Sequence, residues 1–186
     1  CTIVSVNPLP EAGMARFKHP QEVLHLLGPG TPIAKLFLPV RINGDVALLK
    51  GVMKEMLEAD ERSSPGGGVL DHAFIGERTQ GFEDFAEDLK RESWDMIVEQ
   101  SGVDRDLIRE AAQVAMRSER MICCWAMGIT QHENGVANVQ TIVNFLLLRG
   151  HFGRKGAGAC PVRGHSNVQG DRTMGIWEKM PAAFMS

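Results

Sequence analysis

Segments that read as strands take turns with segments that read as helices along this chain. That alternation restricts its fold more than any other feature. Residues 2–6 (Thr-Ile-Val-Ser-Val) are β-branched and apolar, and residues 33–38 and 120–126 are two further strand candidates. Behind the second strand, Leu49, Val52, Met53 and Met56 recur at helical spacing and form one apolar stripe. The full order is strand, helix, strand, helix, several helices, strand, helix. Such an order predicts an α/β fold, with a parallel sheet and covering helices. In sheets of that kind ligands bind beyond the carboxyl ends of the strands. Residues 7–13, 43–45 and 127–134 lie at those ends.

The helices have legible starts and stops. Pro20 and Gly28 bracket a short one, and 28–30 (Gly-Pro-Gly) is a turn. Asp45 is the expected N-cap of a helix running to about residue 58. Residues 63–68, with three consecutive glycines, read as a loop. Residues 70–118 read as helical, with Phe82, Phe85 and Leu89 on one face. Ser93 and Asp104 are the expected caps of two more helices, the second with Leu107, Ile108, Ala111, Ala112 and Ala115 inward. The helix over 134–148 is apolar on most sides, which suits a core position. Gly150 suits its C-terminal cap. Beyond it, residues 151–186 are glycine-rich and irregular.

Composition narrows the function. The chain has 186 residues, enough for one domain with a real core. Its 20 Lys and Arg against 23 Asp and Glu give a net charge of -3, which argues against nucleic-acid binding. No apolar run approaches the roughly 20 residues that span a bilayer, so no membrane insertion is expected. Cys123 and Cys124 are adjacent, and Cys160 has no nearby Cys, so zinc and iron–sulfur spacings are absent. The cysteines read as buried free thiols of a reducing, cytoplasmic compartment. Residue 1 is Cys and a strand begins at once, so a slice of a longer protein is expected.

Three constellations could carry chemistry. After the third strand, Gly128, Gln131 and His132 precede a helix start, where glycine admits close backbone approach and free amides meet an anion. The loop over 163–171 is dense in hydrogen-bonding side chains, with Arg163, Gly164, Asn167 and Gln169 among them. Asn and Gln amides read polar edges with paired donors and acceptors. Gly44 and Asp45 are either a plain helix cap or a carboxylate placed to meet a guanine N–H edge or a ribose hydroxyl. Each also has a bland reading as a solvated loop or cap. The acidic cluster Glu83, Asp84, Glu87 and Asp88 reads as a solvated helix face. A P-loop, a nucleophile elbow and a complete nicotinamide fingerprint are all missing.

Together these segments resemble the molybdopterin oxidoreductases, in particular the formate dehydrogenase alpha-subunit-like branch. The resemblance rests on the continuous run 127–138, on Gly150, Gly153, Gly156 and Gly158 after the apolar helix, and on the run 161–170 (Pro-Val-Arg-Gly-His-Ser-Asn-Val-Gln-Gly). Asn7-Pro8 and the run 44–49 match family positions too. It implies a Rossmann-like three-layer domain with a mostly parallel sheet, taken from a much longer enzyme. It implies a bis-molybdopterin guanine dinucleotide cofactor carrying molybdenum or tungsten, with this region supporting one dinucleotide. Asn7, Gly44 and Asp45 would lie at the guanosine end. Gly128, Gln131 and His132 would approach the phosphates or pterin, and Arg163, Gly164, Asn167 and Gln169 would face the cofactor from the last loop.

The resemblance also implies partners: the remaining domains of the parent chain and an electron-transfer subunit. A 4Fe-4S cluster and the metal-ligating residue would lie upstream, outside this chain, which alone would be inactive. Many relatives carry Asp near the end of the first strand, where this chain has Asn7. Two other readings compete with the enzyme. One is a stand-alone nucleotide-binding or regulatory module on the same fold. The other is an acid-response or assembly protein that has lost catalysis.

Overall fold

The computed structural model describes residues 1–19, 21, 28–63 and 68–176. In chain order the elements are β1 (Val4–Val6), α1 (Ala12–Ala15), β2 (Arg16–Phe17), β3 (Thr31–Pro32), β4 (Leu36–Leu38) and α2 (Asp45–Arg62). Next come α3 (His72–Arg78), α4 (Phe82–Arg91), α5 (Trp94–Ser101), α6 (Arg105–Arg117) and β5 (Ile122–Trp125). The last are α7 (Met127–Thr130), α8 (Gly135–Leu147), β6 (Gly158–Pro161) and α9 (Val168–Thr173). The helix expected after Pro20, most of the loop over 63–68 and the tail beyond residue 176 fall outside the described residues.

The fold is α/β, and its long-range strand pairs are parallel. β1 pairs with β4 in the register Val4↔Leu36 to Val6↔Leu38, and β5 pairs with β6 from Ile122↔Gly158 to Trp125↔Pro161. β2 and β3 form a short antiparallel pair. Among the described residues the strands make three two-stranded sheets rather than the continuous sheet expected from the alternation. The strands are short, and among the described residues no layer covers one face of β5–β6: Ile122, Cys124 and Cys160 are exposed there. Parallel sheets are ordinarily covered on both faces. The cysteines expected to be buried are therefore mostly open: Cys1, Cys124 and Cys160 are exposed, and Cys123 is half-buried.

The core forms around α2. Leu48, Val52, Met53, Met56 and Leu57 are buried, and α4, α5, α6 and α8 all pack against this helix. Gly51 makes that crowding possible. A Cβ there would come within 2.8 Å of Ile97 Cγ2 and 3.1 Å of Ile108 Cγ2. Lys54 is buried as well, and its ammonium donates to the carbonyls of Leu89 (3.2 Å) and Lys90 (2.8 Å). Those carbonyls lie in the last turn of α4, where the helix dipole favours a cation.

The apolar helix α8 takes the core position expected of it, packed against α2. Asn138, Ile142, Phe145 and Leu146 are inside, whereas Val136 is 75% exposed. The helix around which the others gather is α2, with its glycine-notched stripe. Gly150 ends α8 as expected. Its φ is 60°, its N–H donates to Leu147 O, and the His151 N–H donates to Leu146 O, closing a Schellman-type turn. No helix of the described residues is long and apolar enough to cross a membrane.

Candidate functional site

The residues singled out from sequence follow the carboxyl ends of β1, β4, β5 and β6. Asn7 comes directly after β1. Its backbone N–H donates to Leu38 O at 3.2 Å, and its carboxamide Nδ2 donates to Leu9 O at 2.8 Å. One of its two amide hydrogens is thus engaged within its own loop.

Past β4 the chain turns through Asn43, which holds a left-handed φ of 68°, into Gly44 and α2. Gly44, not Asp45, occupies the N-cap, and Asp45 is the first helical residue. The glycine has a packing reason, since a Cβ would stand 2.8 Å from Gln100 O and 3.0 Å from Arg41 O. With no side chain at the cap, the Asp45 carboxylate is released from capping and turns toward His132. Asp45 Oδ2 lies 3.8 Å from His132 Nδ1. Burial raises the Asp45 carboxyl above its ordinary value, while the neighbouring His132 and its own backbone N–H pull it the other way.

Past β5, the stretch expected as a loop winds into the single-turn helix α7 before α8 begins. Gly128 has no atom within 4 Å of where a Cβ would sit, so its backbone faces open space. Gln131 is exposed, and His132 is half-buried. The sequence reading missed the residue that holds His132. Asn138 is wholly buried, and its Nδ2 donates to Ile129 O at 2.9 Å and lies 3.1 Å from His132 Nδ1. An Asn on the inward face of a mostly apolar helix was the available signal.

Past β6, the Val162 N–H donates to Trp125 O at 2.7 Å and extends the pairing toward Arg163. A Cβ on Gly164 would strike Met127 Sδ, so this last loop lies against the residue before Gly128. Arg163, Asn167 and Gln169 are exposed. Asn167 stands at the N-cap of α9 without a side-chain cap bond.

Two junctions therefore join the predicted residues. Asp45 meets His132, and Gly164 meets the Met127–Gly128 turn. Asn7 joins neither. Beside the start of α2 opens a cavity of about 420 Å³, lined by Asn43, Val46, Lys50, Glu92, Gln100 and Asn134. Lys50 and Glu92 pair across it. Among the described residues no cluster of three or more His, Cys, Asp or Glu side chains could hold a metal ion. The arrangement offers an enclosed carboxylate acceptor, a histidine held by an amide, an open glycine backbone and a fringe of exposed amides with one guanidinium. Such a set presents hydrogen-bond donors, and one carboxylate acceptor, to a polar molecule.

A second buried histidine was also missed. His151 is fully enclosed, and neither ring nitrogen has a hydrogen-bond partner. Burial, then Arg149 and Arg154, push its pKa down to about 4, with Asp71 opposing them.

No family model matches the chain. An oxidoreductase of Mycobacterium tuberculosis, uncharacterized by its name, is 47% identical over 184 residues, which are 99% of this chain and 23% of that protein. Protein YdeP of Escherichia coli is 46% identical over 187 residues, covering 99% of this chain and 25% of that one. Among solved structures, acetylene hydratase from Pelobacter acetylenicus matches 84% of this chain and 18% of its own, with a TM-score of 0.61 and 22% identity. The chain spans about a quarter of the length of the first two relatives. It is thus a homologue of one stretch of longer proteins, a mycobacterial oxidoreductase among them, and it shares its α/β fold with part of acetylene hydratase.

Proposed function

We propose that this chain is the dinucleotide-supporting, Rossmann-like domain of a molybdenum- or tungsten-dependent oxidoreductase with formate dehydrogenase-like activity. The observation that carries the reading is the pair of junctions at the strand ends. One brings a residue following β4 to a residue following β5, and the other brings the loop after β6 against Met127, next to the open backbone of Gly128. The oxidoreductase name of the mycobacterial relative supports it. So does a Staphylococcus haemolyticus relative provisionally named a formate dehydrogenase, 38% identical over 151 residues.

The donor set fits one molybdopterin guanine dinucleotide in part. A guanine edge presents N–H donors, and the Asp45 carboxylate is an acceptor set apart from bulk water. Phosphates and pterin carry acceptors, for which Arg163 and the amides of Gln131, Asn167 and Gln169 supply donors. Gly128 leaves room for a ligand against the backbone. Gly44 serves internal packing, and Asn7, with one amide N–H engaged by Leu9 O, keeps its second N–H and its carboxamide oxygen for a ligand. When bound, the metal–pterin group supplies two-electron redox chemistry, while these residues bind and orient it. The other domains of the parent chain and an electron-transfer subunit are its partners in this reading, and the compartment is cytoplasmic.

Elemental analysis of the longer protein that contains this chain tests the proposal. One equivalent of molybdenum or tungsten is expected, and iron beside it would signal a separate cluster. A folded, metal-free protein from a host that makes the cofactor would overturn the reading. In the loaded protein, replacing both Gln131 and His132 by Ala is expected to lower metal retention. Unchanged metal content would remove those two residues from the site.

A further inference from the structure

β5 and β6 place two cysteines side by side. Cys124 and Cys160 are direct partners in the parallel register, so their side chains stand on the same face. Both are exposed, on the face that no other layer covers among the described residues. Neighbouring strands lie about 4.8 Å apart, within the roughly 4.4–6.8 Å Cα separation that a disulfide spans. A strand pair uncovered on one side can also absorb the small shift that brings the Cβ atoms together. Cys123 points to the opposite face and is half-buried, so the adjacent cysteine does not compete. With no third ligand group among the described residues, a tetrahedral zinc-type site is short of donors.

We propose that Cys124 and Cys160 are a redox-active dithiol that closes a reversible disulfide across β5–β6 by exchange with a small-molecule disulfide such as oxidised glutathione. The Cys124 thiolate attacks one glutathione sulfur, breaking the glutathione S–S bond and releasing one glutathione thiolate. The Cys160 thiolate then attacks the Cys124 sulfur of that mixed disulfide and releases the second. The two cysteines are oxidised, one glutathione disulfide is reduced to two thiols, and the two cysteine protons end on them. Desolvation and the neighbouring Cys160 hold the Cys124 thiol above its ordinary pKa, so the thiolate is scarce at neutral pH and exchange speeds up as pH rises. Once closed, the bond ties together the two strands that lead into the Met127–His132 and Arg163–Gln169 stretches. This inference does not depend on whether a pterin binds.

Peptide mapping tests it directly. Cleavage after Lys and Arg puts Cys123 and Cys124 in the fragment 121–149 and Cys160 in the fragment 156–163. After native treatment with oxidised glutathione, these two fragments are expected to be linked, with a loss of two free thiols. The link should persist in Cys123→Ser, disappear in Cys160→Ser, and form faster at pH 9 than at pH 7. Reduced glutathione in excess should reopen it. Fragments that stay free, that each carry their own glutathione, or that join through Cys123 would overturn the proposal. Sequencing the linked wild-type fragments by tandem mass spectrometry assigns the bond to Cys123 or Cys124, so poor folding of a variant does not rescue the proposal.

Discussion

The helical region around α2 and the strand–loop region from β5 to α9 obey different rules. In the first, almost every apolar residue meets another of its own chain. Met53 and Met56 are fully enclosed, and Gly51 is a glycine because Ile97 and Ile108 leave no room for more. In the second, Ile122 is 55% exposed, Val162 51% and Met174 81%. The Arg163 and Gln169 side chains are exposed and have no hydrogen-bond partner among the described residues. The contrast is one of burial: internal packing explains the residues around α2 and on the inward face of α8, and it does not explain the exposed side chains of the strands and the last loop.

That contrast can be broken, and the sharpest attempt is at the core. Met56→Ala should lower unfolding stability by about 2–5 kcal/mol, because a large side chain leaves a cavity amid residues that cannot collapse into it. Urea denaturation measures this, and a loss under about 1 kcal/mol would mean the helical region is looser than its burial implies. Acid is the next lever. His151 is neutral when folded, with a pKa of about 4, against 6.5 for an ordinary histidine. The unfolded chain therefore takes up a proton first. His151 leaves stability intact above pH 6.5 and withdraws about 3 kcal/mol as pH falls toward 4. The His151→Leu chain should lose that share of the acid sensitivity; identical pH profiles of Tm for the two would refute it.

Gly44 sits on the border between the regions. Gly44→Ala should cost about 1–3 kcal/mol through the clash with Gln100 and Arg41, as overpacking does. A neutral result would return the glycine to a ligand-approach role. The smallest effects belong to the exposed loop. Arg163→Ala and Gln169→Ala should each change stability by less than about 0.5 kcal/mol. Larger losses, read in the same urea titration, would show that the loop is held by its own chain after all.

The two regions also differed in how far the sequence disclosed them. α2, α4 and α6 announced themselves by stripes at helical spacing, because burial within one chain leaves that periodic trace. β6 did not: Gly-Ala-Cys-Pro has no β-branched residue, and it becomes a strand only by lying against β5. At the candidate site, motif reading found Asp45 and His132 separately, but nothing in their spacing announced that they meet. Asn138 went unseen because it hides in an apolar stripe, and His151 because its burial depends on distant partners. The N-cap assignment slipped by one residue, since a glycine forced by packing took the place a carboxylate usually fills.

α2 runs unbroken from the core to the candidate site, and this makes it a lever. Asp45 is its first residue, and Met56 lies eleven residues further on, about 16 Å along the axis at 1.5 Å per residue. A repacking that tilted the helix by about 5° around Met56 would swing the Asp45 end by about 1.4 Å, enough to part it from His132. Substitutions drifting through lineages at Met53, Met56 or Gly51 would then be filtered twice, once for folding and once for aim. Descendants of this sequence inherit their core and the Asp45–His132 approach as one trait.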